Sequence, residues 1–224
     1  WEDKSFGFLD GYRWVLALPG SYTVHLYGKE MSMGGEIKLV NQPGAESHVT
    51  LDIDKGASLT AAKLTMGSSN DRWDSSMRVR VAGGSSLTMK DLFLFSYGNA
   101  TFDVLSGSTL TSEGALNFFK GDWQDTLVVT SRMTVVDSSW TANGNVQLGG
   151  DYNHCVNWEE NSWTLTATNS SLNFAANVYV FKPVAKVVLK DSTTALGGEL
   201  RVSEGAKVVL DGGSVTGGTW NVGY

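Results

Sequence analysis

The chain has 224 residues and one cysteine, with 26 glycines against 3 prolines and a net charge of −6. That length accommodates one long solenoid or two compact domains, and a single cysteine excludes an internal disulfide framework. Lys and Arg are scattered rather than gathered into the basic stripe that nucleic-acid binding needs. No apolar run approaches the roughly 20 residues that span a bilayer.

Residues 1–20 crowd together Trp1, Phe6, Phe8, Tyr12 and Trp14. They predict an N-terminal cap or first coil covering the open end of a core. Residues 21–224 read differently, with no linker or charge run dividing them. A first unit places Val24 and Leu26 before Met31, and Ile37 and Leu39 after it, with Gly28 three positions ahead of Met31. The same layout then recurs around a short phrase: Gly56-Ala57-Ser58-Leu59-Thr60, Gly84-Ser85-Ser86-Leu87-Thr88, Gly107-Ser108-Thr109-Leu110-Thr111 and Asp137-Ser138-Ser139-Trp140-Thr141. It continues as Asn169-Ser170-Ser171-Leu172-Asn173, a looser Asp191-Ser192-Thr193-Thr194-Ala195, and Gly212-Gly213-Ser214-Val215-Thr216. With Ala195 as anchor of the looser unit, the spacings from Met31 onward are 28, 28, 23, 30, 32, 23 and 20. Such a period signals a repeat architecture.

Apolar residues alternate on both sides of each anchor, as in Leu51 and Ile53 before Leu59 and Leu64 and Met66 after it. Period-two runs bounded by Gly, Asn, Asp and Ser predict strands. The Gly, Asn or Asp ahead of the anchor tolerates the left-handed backbone of a sharp corner. Ser or Thr directly before the anchor predicts outward polar ladders, while the anchors stack inward. Trp140 and Trp220 fall at inward positions and are expected in the core. One thin unit cannot bury its own apolar row, whereas parallel coils about 4.8 Å apart can. The expected fold is therefore all-β, a single-stranded parallel β-helix of about eight coils, on the order of 34 Å long.

The stacked Gly-Ser-x-Leu-Thr corners between residues 21 and 224 resemble those of bacterial autotransporter passenger domains and related adhesin-like surface solenoids. This resemblance implies an extracellular or cell-surface β-helix whose loops recognise a glycan or a host or cell-surface protein. It transfers no catalytic residue and implies no cofactor. It also implies no membrane insertion by this segment. The start at Trp1 rather than Met predicts a part of a longer protein. The pectin-lyase-like β-helix class shares the architecture, so a polysaccharide hydrolase or lyase is an alternative by fold analogy. A passive spacer is another.

Function on a rigid solenoid is expected in its loops. Three insertions share a composition: Asp71, Trp73 and Asp74; Asp122, Trp123 and Asp125; and Asp151, Trp158, Glu159 and Glu160. Tyr97 lies in a shorter connection, and Phe181 and Lys182 follow the third insertion. All occupy the same place in their units, so stacking predicts one edge of aromatics interleaved with carboxylates. Flat aromatics beside hydrogen-bonding groups suit sugar rings. Packing of the loops onto the core is the competing reading. A glycosidase would need two carboxyls roughly 5–9.5 Å apart, and no pair is singled out. His25, His48 and His154 lack metal-ligand spacing. Cys155 reads as an ordinary thiol. No Asp-rich calcium loop recurs at fixed spacing. The sequence therefore predicts no metal and no enzyme.

Overall fold

The computed structural model describes residues 8–10, 13–16, 20–40, 46–67, 75–95, 99–120, 130–149, 162–181 and 185–223. They hold twenty-one strands and no helix. In chain order these begin β1 (Phe8–Asp10), β2 (Arg13–Leu16), β3 (Gly20–Tyr27), β4 (Glu30–Leu39), β5 (Ser47–Asp54), β6 (Ser58–Met66) and β7 (Ser76–Val81). Next come β8 (Ser86–Phe95), β9 (Asn99–Leu105), β10 (Thr109–Ser112), β11 (Leu116–Lys120), β12 (Thr130–Val136), β13 (Ser139–Ala142) and β14 (Val146–Leu148). The last are β15 (Ser162–Thr168), β16 (Ser171–Phe174), β17 (Val178–Val180), β18 (Ala185–Lys190), β19 (Thr193–Val202), β20 (Lys207–Asp211) and β21 (Ser214–Val222).

The chain is all-β with parallel sheets, an arrangement compatible with a β-solenoid. One sheet has eight strands in the order β3-β5-β7-β9-β12-β15-β18-β20. The other has thirteen, and only its first pair, β1 with β2, is antiparallel. In that second sheet, β4 and β19 each carry a register shift, at Met33/Glu36 and at Leu196/Glu199. In the middle units the same place is a break, separating β10 from β11, β13 from β14 and β16 from β17. Glycine is required at Gly144, because a Cβ there would run into the Gly114 carbonyl of the stacked neighbour.

The anchors align as Met31, Leu59, Leu87, Leu110, Trp140, Leu172, Thr194 and Val215. Leu59, Leu87, Leu110 and Leu172 are buried as expected. Trp140 lies between Phe118 and Phe174, meeting both edge to face at centroid distances of 6.0 and 4.8 Å. One anchor needs correction. Thr194, not Ala195, occupies the inward row, and Ala195 is exposed. The spacings on either side of it are therefore 22 and 21 residues. The corner rule becomes stricter in consequence. Gly28, Gly56, Gly84, Gly107, Asp137, Asn169, Asp191 and Gly212, each three residues before its anchor, all have positive φ between 48° and 76°.

The position two before the anchor carries a second device. Ser85, Ser108, Ser138, Ser170 and Ser192 are buried, and each Oγ accepts a hydrogen bond from the backbone N–H one unit earlier, at 3.1–3.3 Å. This inward ladder gives the corner N–H groups an acceptor, shared with a local backbone carbonyl at Ala57 and Ser85. The position just before the anchor is the outward polar row, where Ser86 Oγ donates to Ser58 Oγ at 2.9 Å.

Trp220 is a further correction. It shares the inward register of buried Leu200, yet is 46% exposed, as are Leu210 at 45% and Val222 at 68%. Burial of an inward residue requires a strand on both sides, and β20 and β21 are the last in their sheets.

Candidate functional site

The insertions that carry the predicted residues leave strands that are neighbours in one sheet and enter strands that are neighbours in the other. They leave the thirteen-stranded sheet after β6, β8, β11 and β14, whose ends pair as Met66 with Leu94, Phe118 with Leu94 and Phe118 with Leu148. They enter the eight-stranded sheet at β7, β9, β12 and β15, where Ser76 pairs with Asn99 and Thr130 with Ser162. Both ends of every insertion thus lie along one edge. One strand, β8, separates β6 from β11, and β11 and β14 are adjacent, so the exits are spaced about 10 Å and about 5 Å along the stack. Asp71, Trp73, Asp74, Tyr97, Asp122, Trp123, Asp125, Asp151, Trp158, Glu159 and Glu160 themselves lie outside the described residues, as do His154 and Cys155.

Beside those exits the outer face carries a row the sequence reading did not single out. Asn117, Gln147, Tyr179, Arg201 and Asn221 align on β11, β14, β17, β19 and β21. The rings of Tyr179 and Phe181 are parallel within 4°, their centroids 5.7 Å apart. Asn177 Nδ2 donates to the Tyr179 hydroxyl at 2.9 Å, and the Arg201 guanidinium lies 5.8 Å from the Tyr179 ring centre. Glu199 accepts from Asn221 Nδ2 at 3.0 Å and from Arg201 Nη2 at 3.1 Å. The Asn221 hydrogen bond holds the Glu199 carboxyl below its usual range, with Arg201 adding to the effect against an opposing influence of burial. Both rings are half-buried. Parallel rings flanked by amides, a hydroxyl and a guanidinium can stack on a sugar face while hydrogen bonding its edge. Outward alternation from Val178 was the signal that could have found Tyr179.

A second cluster lies on the outer face of the eight-stranded sheet. His25, Asp52, Arg80 and Asp103 align across β3, β5, β7 and β9. Arg80 Nη1 bridges Asp52 Oδ1 and Asp54 Oδ2, both at 2.7 Å. Asp52 Oδ2 also accepts from the Tyr27 hydroxyl at 2.9 Å and lies 3.0 Å from His25 Nδ1. Burial pushes the Asp52 carboxyl up, but the hydrogen bonds from Arg80, Tyr27 and His25 together outweigh it and hold it low. Arg80, followed by the Lys55 backbone N–H, lowers Asp54, and the bond to Asp52 raises the Tyr27 phenol. Both carboxylates are held ionised by one arginine, so the cluster clamps three strands together.

A shallow groove of about 590 Å³ follows the first corner past Asp137, Asn169 and Asp191. Their positive φ gives these residues a backbone role. Among the described residues, no group of three or more His, Cys, Asp or Glu could hold a metal ion.

Comparison with family models, with curated proteins and with solved structures found no match to this chain.

Proposed function

We propose that the chain is part of a longer, secreted or surface-displayed parallel β-helix, non-enzymatic, that presents aromatic and acidic loops along one edge to a glycan or a protein. In this reading the strands form eight coils, and β1 and β2 belong to a cap over the N-terminal end. The observation that carries the proposal is the common edge of the insertions. Four loop segments with three tryptophans among them start from adjacent parallel strands, beside the Tyr179–Phe181 pair. Their spacing suits an extended partner lying along the stack rather than a small molecule in a pocket.

The test is Trp123→Ala and Tyr179→Ala, each assayed on a glycan array and in pull-downs from cell-surface extracts, with melting temperatures in parallel. Recognition predicts that binding is lost while the melting temperature changes little. A fall in stability of about 3–5 kcal/mol for Trp123→Ala, with no ligand bound by the parent protein, would reduce the tryptophans to packing and end the proposal.

A further inference from the structure

The cations that look scattered in the sequence are gathered by the strand registers. One outward row of the eight-stranded sheet reads Thr23, Thr50, Arg78, Thr101, Arg132, Thr164, Lys186 and Lys207. Its two halves differ in chemistry. In the first half Arg78 is neutralised by Asp103, with Nη2 at 2.6 Å and Nε at 2.9 Å from Oδ2, and the neighbouring Arg80 by Asp52 and Asp54. In the second half Arg132, Lys186 and Lys207 are all exposed, and among the described residues none has an ion-pair partner. Lys186 and Lys207 stand directly opposite each other on adjacent strands. A like-charge pair in that position is destabilising by itself, and it stands out in a chain of net charge −6.

We infer that this half of the sheet, β12, β15, β18 and β20, is a docking face for a polyuronate, an extended polysaccharide carrying one carboxylate per sugar ring. Along the row, Arg132 and Lys186 are two strands apart, about 10 Å, and Lys207 follows about 5 Å further on. Thr164 fills the strand between. The flanking outward positions on β12 and β15 are hydroxyls apart from Val136, namely Thr130, Thr134, Ser162, Thr166 and Thr168, which can bond to ring oxygens and hydroxyls, while β18 and β20 add Val188, Lys190 and Val209. A chain with one carboxylate per ring offers charge at about the strand spacing, so cations and hydroxyls can meet successive sugars. Two features favour this occupant over a nucleic acid. No aromatic side chain faces outward on these four strands to stack on a base. Four outward cations on this face, Arg132, Lys186, Lys190 and Lys207, are also too sparse for a phosphate backbone. The only outward acid on these strands is Asp211, at the far end of β20.

The experiment measures binding of the whole chain to polygalacturonic acid by affinity electrophoresis and biolayer interferometry across a salt series. Dextran, heparin and a single-stranded oligonucleotide serve as comparators. Polygalacturonate should bind at low salt and be released as salt rises, while dextran does not bind. Lys186→Gln with Lys207→Gln should weaken binding on the order of tenfold and flatten its salt dependence, with an unchanged or higher melting temperature. Arg132→Gln should weaken it separately, and Lys38→Gln, on the other sheet, should leave it unchanged. Absence of binding at low salt would overturn the inference, as would equal affinity in the Lys186/Lys207 double variant. Binding of heparin or the oligonucleotide without polygalacturonate would overturn it too.

Discussion

Replacing Thr194 by valine should stabilise this protein. Thr194 sits in the inward anchor row between Leu172 and Val215, is 4% exposed, and its hydroxyl has no hydrogen-bond partner among the described residues. It faces a cavity of about 30 Å³ whose other walls include Phe174, Leu196, Leu200 and Val215. A buried hydroxyl left unpaired in apolar surroundings costs about 1–3 kcal/mol. Valine keeps the β-branch and the shape, so nothing is lost in packing or strand propensity. At about 2–4 °C per kcal/mol for a chain of this size, Thr194→Val should raise the melting temperature by about 2–12 °C. Ala195→Val is the control, because Ala195 is exposed and a change there should stay within about 0.5 kcal/mol. Thermal unfolding by circular dichroism reads both. An unchanged or lowered melting temperature for Thr194→Val, or a larger gain for Ala195→Val, would refute the register assignment or the unpaired hydroxyl.

Two further outcomes follow from the packing and the charge ladder. Leu110→Ala removes a side chain that is 1% exposed and walled by the anchors of both neighbours, so denaturant unfolding should show a loss of about 2–5 kcal/mol. Arg80→Met removes the charged donor of Asp52 Oδ1 and Asp54 Oδ2, leaving Tyr27 and His25 on Asp52 Oδ2, and should cost about 1.5–3 kcal/mol at neutral pH. Because the folded carboxyls of Asp52 and Asp54 are lowered, their stabilisation is present above the unfolded value of about 3.9 and is lost as the pH falls through the folded values. The parent should therefore lose stability on acidification below about pH 4 more steeply than Arg80→Met.

The strands and corners were legible because two independent signals coincide. Alternating apolar residues such as Leu51 and Ile53 mark the inward face, and a Gly, Asn or Asp three positions before the anchor marks the left-handed corner. Thr194 escaped because a hydroxyl residue at an anchor breaks the apolar pattern, and its neighbour Ala195 looked the better fit. The buried ladder from Ser85 to Ser192 escaped for a related reason. Serine in a corner reads as solvated until stacking shows that it receives a backbone N–H from the preceding unit. Trp220 shows the opposite limit, since alternation tells which way a side chain points and not whether another layer covers it. The common edge of the insertions, with Phe181 on it, was legible from their fixed place in each unit, whereas Tyr179 beside Phe181 and the Arg132–Lys186–Lys207 row were not. Arg132 and Lys186 are 54 residues apart, and only the register makes them near neighbours.

The charge pattern argues that the two proposed surfaces are separate. On the first half of the eight-stranded sheet, Arg78 and Arg80 meet carboxylates on adjacent strands, so charge there serves cohesion between strands. On the second half the strands are held by the same backbone ladders and the same inward rows, yet among the described residues Arg132, Lys186 and Lys207 form no ion pair. Cohesion does not require them, and the Lys186–Lys207 pair opposes it. The loop edge, by contrast, lies where strands leave the other sheet, and its described neighbours Arg201 and Glu199 are already paired with each other. The edge insertions carry Asp71, Asp74, Asp122, Asp125, Asp151, Glu159 and Glu160, charge opposite in sign to the cation row, so a polyanion held by the row and weakened by salt is not expected to engage the edge. Trp123→Ala and the Lys186/Lys207 double variant consequently report on different surfaces. Each should leave the other's binding intact, and if both variants abolished the same interaction, two independent surfaces would no longer be tenable.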